Sequence, residues 1–510
     1  MKGQTREEKR RAWLWAIAIV AAMIGVIALI LWVPTWPLWE GSAELRPVPQ
    51  AVTDASAGLD SITVDAVFEP DSRLVSVEQV MTLRNRTGQT QDSVVLRSYS
   101  GAYLKESTSP AALEEIAETC YPSGFNAGGA VFSALSVNGK SVARTFLDDA
   151  CTVLSLPVEG GWAAGADVTV RLVYEAAIPE CASRFGESSG IWALGNLFPT
   201  LAVWEDGAWR TDAYSRIGDP FLSDCANWTV RLTAPRSYTA AASAYGEPVT
   251  LGDSRVWTWR AQAVRDFAVT LSEEYQAAQG MAGDVLVTAY AKDGSAARTL
   301  MKAACKAVEV FGTHYGTLDY PCLTVAEVDF PFGGMEYPQL VFIGSSTVTA
   351  GGSSLELTVA HEAAHQWWYA LIGSDSVNQP WQDESLAEYA MLDYIGAVYG
   401  ADDRESYRRD VIEAALTTRV DALVTSGSPI TYFGSLSDYT TVVYRRGAAL
   451  WTALENLLGK EELDRFLTAY HTAYRFQSAS RQDLTELLQS VTGRDVTALI
   501  TDYLDVQTTE

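Results

Sequence analysis

The amino-acid sequence predicts an α+β protein with an N-terminal transmembrane helix, an all-β N-terminal domain and a mainly α C-terminal domain that includes a small mixed sheet. Three patterns in the 510 residues support this prediction. An uncharged run covers residues 12–33, short alternating runs fill residues 61–280, and longer helical patterns dominate residues 281–510. The 450 residues after position 60 are enough chain for two domains with their own hydrophobic cores.

The uncharged run at residues 12–33 predicts a membrane anchor. Its 22 residues would span about 33 Å as a helix, enough for a bilayer core. Basic side chains outnumber acidic ones in residues 1–11, which favours a cytoplasmic tail there, and tryptophans flank both ends of the run. A cleaved signal peptide is the alternative, but its apolar region would be shorter and no clear cleavage site follows. We therefore expect a single-pass cell membrane protein whose remaining chain lies outside the cytoplasm.

The chain after the anchor divides into a linker and two folded parts. Residues 34–60 are rich in Pro, Ala and Ser and predict a linker. In residues 61–280, alternating runs predict strands at Ile62–Phe68, Val75–Leu83, Asp167–Tyr174 and Val256–Arg260. In residues 281–510, we expect strands at Cys322–Val328 and Gln339–Ile343 and helical patterns at Ala296–Phe311, Leu450–Leu458, Glu461–Tyr474 and Arg481–Leu488.

All six cysteines follow the predicted anchor, as expected for an exported domain with disulfides. Pairing of neighbours along the chain would join Cys120 to Cys151, Cys181 to Cys225 and Cys305 to Cys322. Six reduced, buried thiols are the alternative. No Cys-x-x-Cys pair is present, so a structural zinc site built from cysteines is not expected.

The charge of the chain excludes one class of partner. The formal net charge is −26, and the first eleven residues are themselves net positive, so the rest of the chain is more acidic still. An acidic surface repels nucleic acid and anionic lipid. We therefore expect no nucleic-acid partner, and the sequence leaves the oligomeric state open.

The most informative motif is His361-Glu362-Ala-Ala-His365, which contains two of the 4 histidines of the chain. Residues four apart lie on one face of a helix, and the flanking sequence favours a helix that begins at a capping box of Ser353 and Glu356 and stops near Gly373. Two imidazoles on one face supply two ligands of a zinc ion, and a catalytic zinc needs a third protein ligand.

Glu384 is the expected third ligand. Eighteen residues separate it from His365, and it lies in a second helical pattern that follows Pro380. Glu362 points about 100° away from His361 on the helix, which suits a general base that binds water rather than the metal. Glu388, one turn after Glu384, is either a hydrogen-bond partner of a ligand histidine or a solvated helix carboxylate.

These residues resemble the gluzincin metallopeptidases of the aminopeptidase N type, a branch that includes the leukotriene-hydrolase relatives. Besides the histidine motif and Glu384, the segment Gly333-Gly334-Met335-Glu336-Tyr337-Pro338 is similar to the family motif Gly-x-Met-Glu-Asn. The resemblance implies a thermolysin-like catalytic domain with one zinc ion. It also implies that Gly333, Gly334 and Met335 lie on an edge strand along the substrate, and that Glu336 holds the free α-amino group of a peptide.

The segment Val443–Ala448 is similar to the Tyr-x-x-Gly-Ala segment of the same family, and Tyr444 follows Glu384 by 60 residues. The resemblance implies that the Tyr444 hydroxyl stabilises the oxyanion formed during hydrolysis. Tyr439 is the alternative.

Residues 60 to 475 as a whole resemble the family, and two features leave the specificity open. In members of the family, the β domain adds a second acidic or amide side chain to the amine site, for which Asn196 and Glu205 are candidates here. Large members also carry a C-terminal helical domain over the active site, whereas this chain ends 66 residues after Tyr444. We therefore expect a more open cleft.

The sequence thus predicts a zinc-dependent peptidase that releases N-terminal residues from extracytoplasmic peptides. One alternative is an endopeptidase or dipeptidase that uses Glu336 differently in an open cleft. Another is a surface protein that binds peptides without cleaving them. A broken catalytic set would favour the binding protein, and the set in this sequence is intact.

Overall fold

A computed structural model describes residues 45–420 and 423–506. Within these residues the predicted α+β class is confirmed, with a β-rich part followed by a mainly helical part. The predicted anchor at residues 12–33 lies outside the described residues. In the part of the chain that is described, no helix combines the length and apolar character needed to cross a membrane.

The end of the predicted linker is folded. Helix α1 (Gln50–Ser56) lies in it, and the Arg46 guanidinium donates hydrogen bonds of 2.7 Å to the carbonyl oxygens of Leu318 and Tyr320. These contacts attach residues 45–59 to the C-terminal part of the protein. The Pro, Ala and Ser composition did not predict them, because they depend on chain almost three hundred residues away.

The N-terminal domain consists of mainly antiparallel sheets and contains the short helix α2 (Ala117–Cys120). Its strands are β1 (Asp60–Glu69), β2 (Leu74–Arg84), β3 (Gln91–Arg97), β4 (Gly129–Val137), β5 (Lys140–Ser141), β6 (Thr145–Phe146), β7 (Val153–Trp162), β8 (Asp167–Ala177), β9 (Phe185–Ser188), β10 (Ile191–Leu194), β11 (Thr200–Leu201), β12 (Trp204–Glu205), β13 (Ala208–Trp209), β14 (Ala226–Pro235), β15 (Thr239–Ala242), β16 (Val249–Leu251), β17 (Ser254–Val264) and β18 (Val269–Ser272).

The largest sheet has eight strands in the order β16-β17-β14-β1-β2-β8-β4-β5, and only the β1–β14 pair is parallel. Alternate residues of β1 are buried, as its period-two pattern predicts. Two four-stranded sheets, β15-β18-β10-β9 and β11-β3-β7-β6, complete the domain with the β12–β13 hairpin. Arg184 immediately precedes β9, and the irregular segment from Arg210 to Ser223 carries Gly218 and Asp219 towards the C-terminal part.

The C-terminal domain is a five-stranded mixed sheet covered by helices. The sheet order is β19-β20-β21-β23-β22, with β22 at the edge. The strands are β19 (Gln276–Ala282), β20 (Val285–Ala291), β21 (Cys322–Val328), β22 (Gly334–Met335) and β23 (Leu340–Gly344), and β24 (Ile372–Gly373) pairs separately with β25 (Gln477–Ser478). The helices are α3 (Gly294–Tyr315), α4 (Ser345–Ala350), α5 (Gly352–Ala364), α6 (Trp381–Val398), α7 (Ala401–Tyr407), α8 (Leu436–Tyr439), α9 (Gly447–Leu458), α10 (Lys460–Tyr474), α11 (Arg481–Thr492) and α12 (Thr497–Leu504).

Helix α6 is the central element of this domain. All its residues from Trp381 to Ile395 are buried, so it has no solvent face and contacts other elements on every side. The buried carboxylate of Asp393 accepts hydrogen bonds from the Tyr315 hydroxyl (2.8 Å) and the Lys460 ammonium (2.9 Å). These bonds join α6 to α3 and α10, and they fix the position of the helix that carries Glu384.

The boundaries of α5 differ from the sequence prediction. The helix begins at Gly352 after Gly351, and no side chain caps it, so the predicted capping box of Ser353 and Glu356 is wrong. It ends at Ala364 rather than near Gly373. A π-helical turn, Gln366–Leu371, follows and leaves helical geometry at Trp368 (φ −101°, ψ 54°). Neither Gly nor Pro signals this break, so sequence punctuation could not locate it.

The predicted disulfides are not formed, and all six cysteines are free thiols. The Cys305 sulfur contacts the Met301 sulfur one turn earlier on α3, at 3.7 Å. The Cys322 thiol donates to the side-chain oxygen of Gln339 across the sheet, at 3.2 Å. The Cys181 thiol contacts Cys120 and not its predicted partner Cys225, so spatial proximity of the cysteines does not follow their order along the chain.

Candidate active site

Helices α5 and α6 bring three metal-binding side chains together. His361, His365 and Glu384 are all buried, and their donor atoms form a single compact group. The Nε2 atoms of the two histidines are 3.2 Å apart, and each lies 3.3 Å from Oε2 of Glu384. The sequence predicted this set from spacing alone, and the packing of α5 against α6 closes it.

The three donor–donor distances fit a zinc ion. Protein ligands at about 2.0–2.1 Å from a tetrahedral zinc lie about 3.3 Å from one another. The observed values of 3.2 and 3.3 Å match this edge length without movement of any side chain. Two imidazoles and one carboxylate are also the donor types of a catalytic zinc site with one position left for water.

A second set of contacts orients the ligand histidines. The carbonyl oxygen of Trp368 lies 3.2 Å from Nδ1 of His365, so this nitrogen donates and Nε2 is free to bind metal. Sequence reasoning missed this contact, because it exists only where the π-helical turn exposes the carbonyl. Glu388 faces the Nδ1 atom of His361 at 3.8 Å and accepts a hydrogen bond of 2.9 Å from the Tyr407 hydroxyl. It is buried, which excludes the solvated alternative.

Glu362 lies beside the three metal-binding side chains but does not belong to that group. Its side chain is buried, and Oε2 has no hydrogen-bond partner among the described residues. Burial raises the pKa of Glu362 to about 7, against the opposing effect of the two histidines. A buried carboxylate oxygen with no partner in the protein is available to a water molecule in the cleft.

The edge strand β22 restricts the positions that the Glu362 side chain can occupy. A Cβ atom built on Gly334 would lie 2.1 Å from Oε1 of Glu362, whereas one on Gly333 would meet only the Thr358 methyl group at 3.5 Å. Gly334 therefore permits a close approach of this strand to Glu362, in addition to the place along the substrate that the family resemblance implies for it. Met335 is buried in the sheet, and both glycines line the cleft.

Burial alone would raise the pKa of Glu384, but hydrogen bonds with His361 and His365 outweigh burial and lower it to about 2. Glu336 shows the opposite behaviour: its pKa is raised well above the usual range by burial and by the nearby Asp219 carboxylate. Two carboxylates held close together inside a cleft favour a cation between or beside them.

Asp219 is the acidic side chain that the N-terminal domain contributes, and neither predicted candidate takes this place. Asn196 is buried behind the cleft, where it bonds Asp266 and the Tyr337 hydroxyl at 2.8 Å each. Glu205 is exposed and pairs with Arg210. Both suggestions were wrong. Asp219 follows a glycine of left-handed conformation in a segment without regular structure, and no periodic pattern marks it.

Arg184 pairs with Asp219 at 2.6 Å and is the second cleft residue that the sequence did not reveal. Its guanidinium lies over the rings of Phe221 (5.0 Å) and Phe332 (5.8 Å). The ion pair therefore forms part of the lining of the cleft that also contains Glu336. Of the two tyrosines, Tyr444 is closer to the metal-binding group: its hydroxyl donates to Oε1 of Glu384 at 2.7 Å and its ring stacks on His361.

These residues surround one cleft of about 570 Å³. Both domains line it, and Tyr439 and Arg445 belong to its wall as well. Burial and the Glu384 charge raise the pKa of Tyr444 well above its usual range, so its hydroxyl keeps the proton it can donate. The arrangement offers a metal site, a base, a hydroxyl donor and a pair of carboxylates in one concave space.

The sequence of this chain is similar to known peptidases. Residues 297–503 match the family described as "Peptidase family M1 domain". A segment of 178 residues is 26% identical to leucine aminopeptidase 2 of Aspergillus niger, covering 33% of this chain and 28% of the relative. A segment of 177 residues is 29% identical to leukotriene A-4 hydrolase of Xenopus laevis, with the same two coverages. The chain thus spans little more than a quarter of the length of these relatives.

The fold has a fuller match among solved structures. An M1 zinc metallopeptidase from Deinococcus radiodurans superimposes with a TM-score of 0.62 and 16% identity, over 88% of this chain and 94% of that one. A mutant of that protein bound to a Tyr-Ser-Ala substrate gives the same TM-score at 17% identity, over the same shares of the two chains. The two-part architecture of this chain is therefore an established one.

Proposed function

Because residues 297–503 match the peptidase family M1 domain, we propose that the protein is a zinc-dependent aminopeptidase that hydrolyses the first peptide bond of its substrates. The observation that carries the proposal is the set of 3.2 and 3.3 Å distances among His361, His365 and Glu384. When bound there, zinc supplies Lewis-acid polarisation of the scissile carbonyl and acidification of water.

The side chains around the metal site can carry the proton and the charge of peptide hydrolysis. Glu362 takes a proton from water as the water oxygen bonds to the carbonyl carbon, and it gives that proton to the amine nitrogen when the carbon–nitrogen bond breaks. Tyr444 is positioned to donate to the oxyanion of the tetrahedral intermediate. In the described structure its hydroxyl bonds Glu384 instead, so this role requires a shift of that hydrogen bond when substrate enters.

The amino end of the substrate is the cation that Glu336 favours. Glu336 and Asp219 both line the cleft, but Asp219 is already paired with Arg184, so Glu336 is the buried carboxylate that a protonated amine would neutralise. This geometry favours an aminopeptidase over the endopeptidase alternative.

The decisive experiment compares a peptide with a free N-terminus and the same peptide with an acetylated N-terminus. We expect the zinc-loaded protein to cleave the free peptide at least about 100-fold faster, because the acetyl group removes the charge that is bound by a buried carboxylate. The Glu336→Gln variant should lose most of this preference. Equal cleavage of both peptides would establish an endopeptidase, and cleavage of neither would favour a binding protein.

Gly334→Ala is expected to lower kcat/KM about 100-fold, the loss typical of a 1 Å displacement of a catalytic group. The added methyl group would collide with the Glu362 carboxylate at 2.1 Å. Gly333→Ala is the matched control, because its methyl group meets only ordinary contacts. Steady-state kinetics of both variants test this, and an equal loss in the two variants would contradict it.

Tyr444→Phe is expected to lower kcat by about 100- to 1000-fold with little change in KM, as for removal of an oxyanion donor. Tyr439→Phe should have the smaller effect, because Tyr439 packs edge-on against Tyr444 and not on a ligand. Kinetics on one free peptide with both variants give the ranking. The reverse order would transfer the role to Tyr439.

We also propose that residues 12–33 anchor the protein in the cell membrane, with the peptidase outside the cytoplasm. The support is the uncharged 22-residue run, the basic residues before it and the tryptophans around it. Protease added to intact cells should then remove the catalytic part, and alkaline washing should leave the protein with the membranes. Release by the wash, or full protection from the protease, would overturn the proposal.

A further inference from the structure

We propose that Arg445 binds a carboxylate of the peptide substrate, two or three residues beyond the amino group, so that the cleft favours short peptides. This inference rests on the aminopeptidase function proposed above and adds a substrate class to it. The ligand chemistry is a carboxylate, which a peptide can present as its C-terminus or as an Asp or Glu side chain.

The cleft has a direction that follows helix α5. Ligand oxygens of Glu336 and Glu362 and a ring nitrogen of His365 form one compact group, so the amine end lies at the C-terminal end of α5. From there the lining residues on this helix are His361, Thr358 and Ser354, each about one turn further from the amine end. A peptide held by its amino group therefore extends towards the N-terminal end of α5.

Helix α6 lines the side of the cleft opposite α5, next to the turn that carries Arg445. Glu384, Glu388 and Met391 border the cleft at successive turns. Tyr407 donates to Glu388 at 2.9 Å. Glu388 faces Nδ1 of His361, one turn from His365 along α5, and Arg445 lines the cleft together with Glu388 and Tyr407. Arg445 is thus beyond the metal ligands as seen from the amine end.

Arg445 has the exposure and the charge needed for a ligand contact. Its side chain is exposed and lines the cleft. Across residues 45–420 and 423–506, no carboxylate lies within 4.0 Å of it, since the Glu388 oxygens are directed to Tyr407 and His361. Arg184, the buried arginine at the amine end, is neutralised by Asp219. Arg445 therefore carries a positive charge that no side chain offsets at that distance.

The length of the cleft matches a short peptide. From Thr358 to His365 the chain rises seven steps of 1.5 Å, which is about 10 Å along the helix. An extended peptide advances about 3.3–3.6 Å per residue. The C-terminal carboxylate of a di- or tripeptide therefore reaches the turn occupied by Glu388 and Arg445 when its amino group is at Glu336. Such an ion pair is charge-assisted and bidentate, which an arginine is well shaped to provide.

The test uses the zinc-loaded full chain, three peptides and two arginine variants. The peptides are Ala-Ala-Ala, its C-terminal amide, and an amidated tripeptide with Glu as its second residue. We expect the wild type to favour the free acid over the plain amide about 10-fold, mainly through KM, as for a charge-assisted contact. Arg445→Gln should abolish this difference. Arg260→Gln is the control, because Arg260 is exposed on β17, outside the cleft, and should retain it.

The third peptide separates the two sources of the carboxylate. If it is cleaved faster than the plain amide by the wild type but not by Arg445→Gln, Arg445 also reads an acidic side chain, which supports the proposal. Equal cleavage of all three peptides by the wild type would overturn it while leaving the aminopeptidase function in place. Cleavage of none of them would overturn the proposed function and this inference together. Melting curves of both variants should coincide with the wild type.

Discussion

Glu362→Gln is expected to lower kcat by about 1000-fold, within the range measured for loss of a general base. The glutamine has the same shape but cannot accept the proton of water. Because Oε2 of Glu362 has no hydrogen-bond partner in the described structure, the substitution breaks no bond of the fold. The melting temperature and the zinc content should therefore remain those of the wild type, and single-turnover kinetics on a free peptide should show the loss in the chemical step.

The matched control for this variant is Glu356→Gln on the same helix. Glu356 points away from the cleft and accepts a hydrogen bond from Tyr399 at 2.5 Å. Its replacement should leave kcat within about twofold, as is usual for a surface substitution. If Glu362→Gln kept more than about a tenth of the wild-type rate, a different group would have to act as the base.

His365→Ala is expected to weaken zinc binding more than about 100-fold and to abolish hydrolysis. Structural zinc sites with four ligands bind with about 10–16 kcal/mol, so one ligand is worth about 3 kcal/mol or more. His365 is almost fully buried and contacts both other ligands, so bulk water has little access to the position of its ligand nitrogen. Zinc content after dialysis against a weak chelator measures this effect directly.

Zinc should also stabilise the wild type against heat and not the His365→Ala variant. At zinc concentrations about 100 times the Kd, binding adds about 2.7 kcal/mol to the free energy of unfolding. Comparing melting temperatures with zinc and with chelator gives a readout that is independent of activity. His471→Ala is the control, since His471 pairs with Asp319 outside the cleft and belongs to none of the side-chain groups that could hold a metal ion in the described residues. One equivalent of zinc retained by His365→Ala would show that the metal is held elsewhere.

Much of the fold was predictable because its signals are local. The alternating pattern of β1 and the periodic pattern of α10 each depend on neighbouring residues, and both elements end within two residues of the prediction. The break after α5, the folded end of the linker and the free cysteines were not predictable. Each of these depends on contacts between segments far apart in the sequence, such as those of Arg46 with Leu318 and Tyr320.

The sequence by itself determined the metal-binding donors, the base and the strand beside it, because their chemistry is encoded in residue type and in spacing along two helices. Only the tertiary structure decided which side chains complete the site. Asp219 and Arg184 come from a different domain, the Trp368 carbonyl is exposed by a helix break, and Arg445 lines the cleft with no carboxylate within 4.0 Å among the described residues. Helical spacing fixes contacts within one turn, whereas contacts between domains depend on how irregular segments pack, and no period in the sequence records that packing.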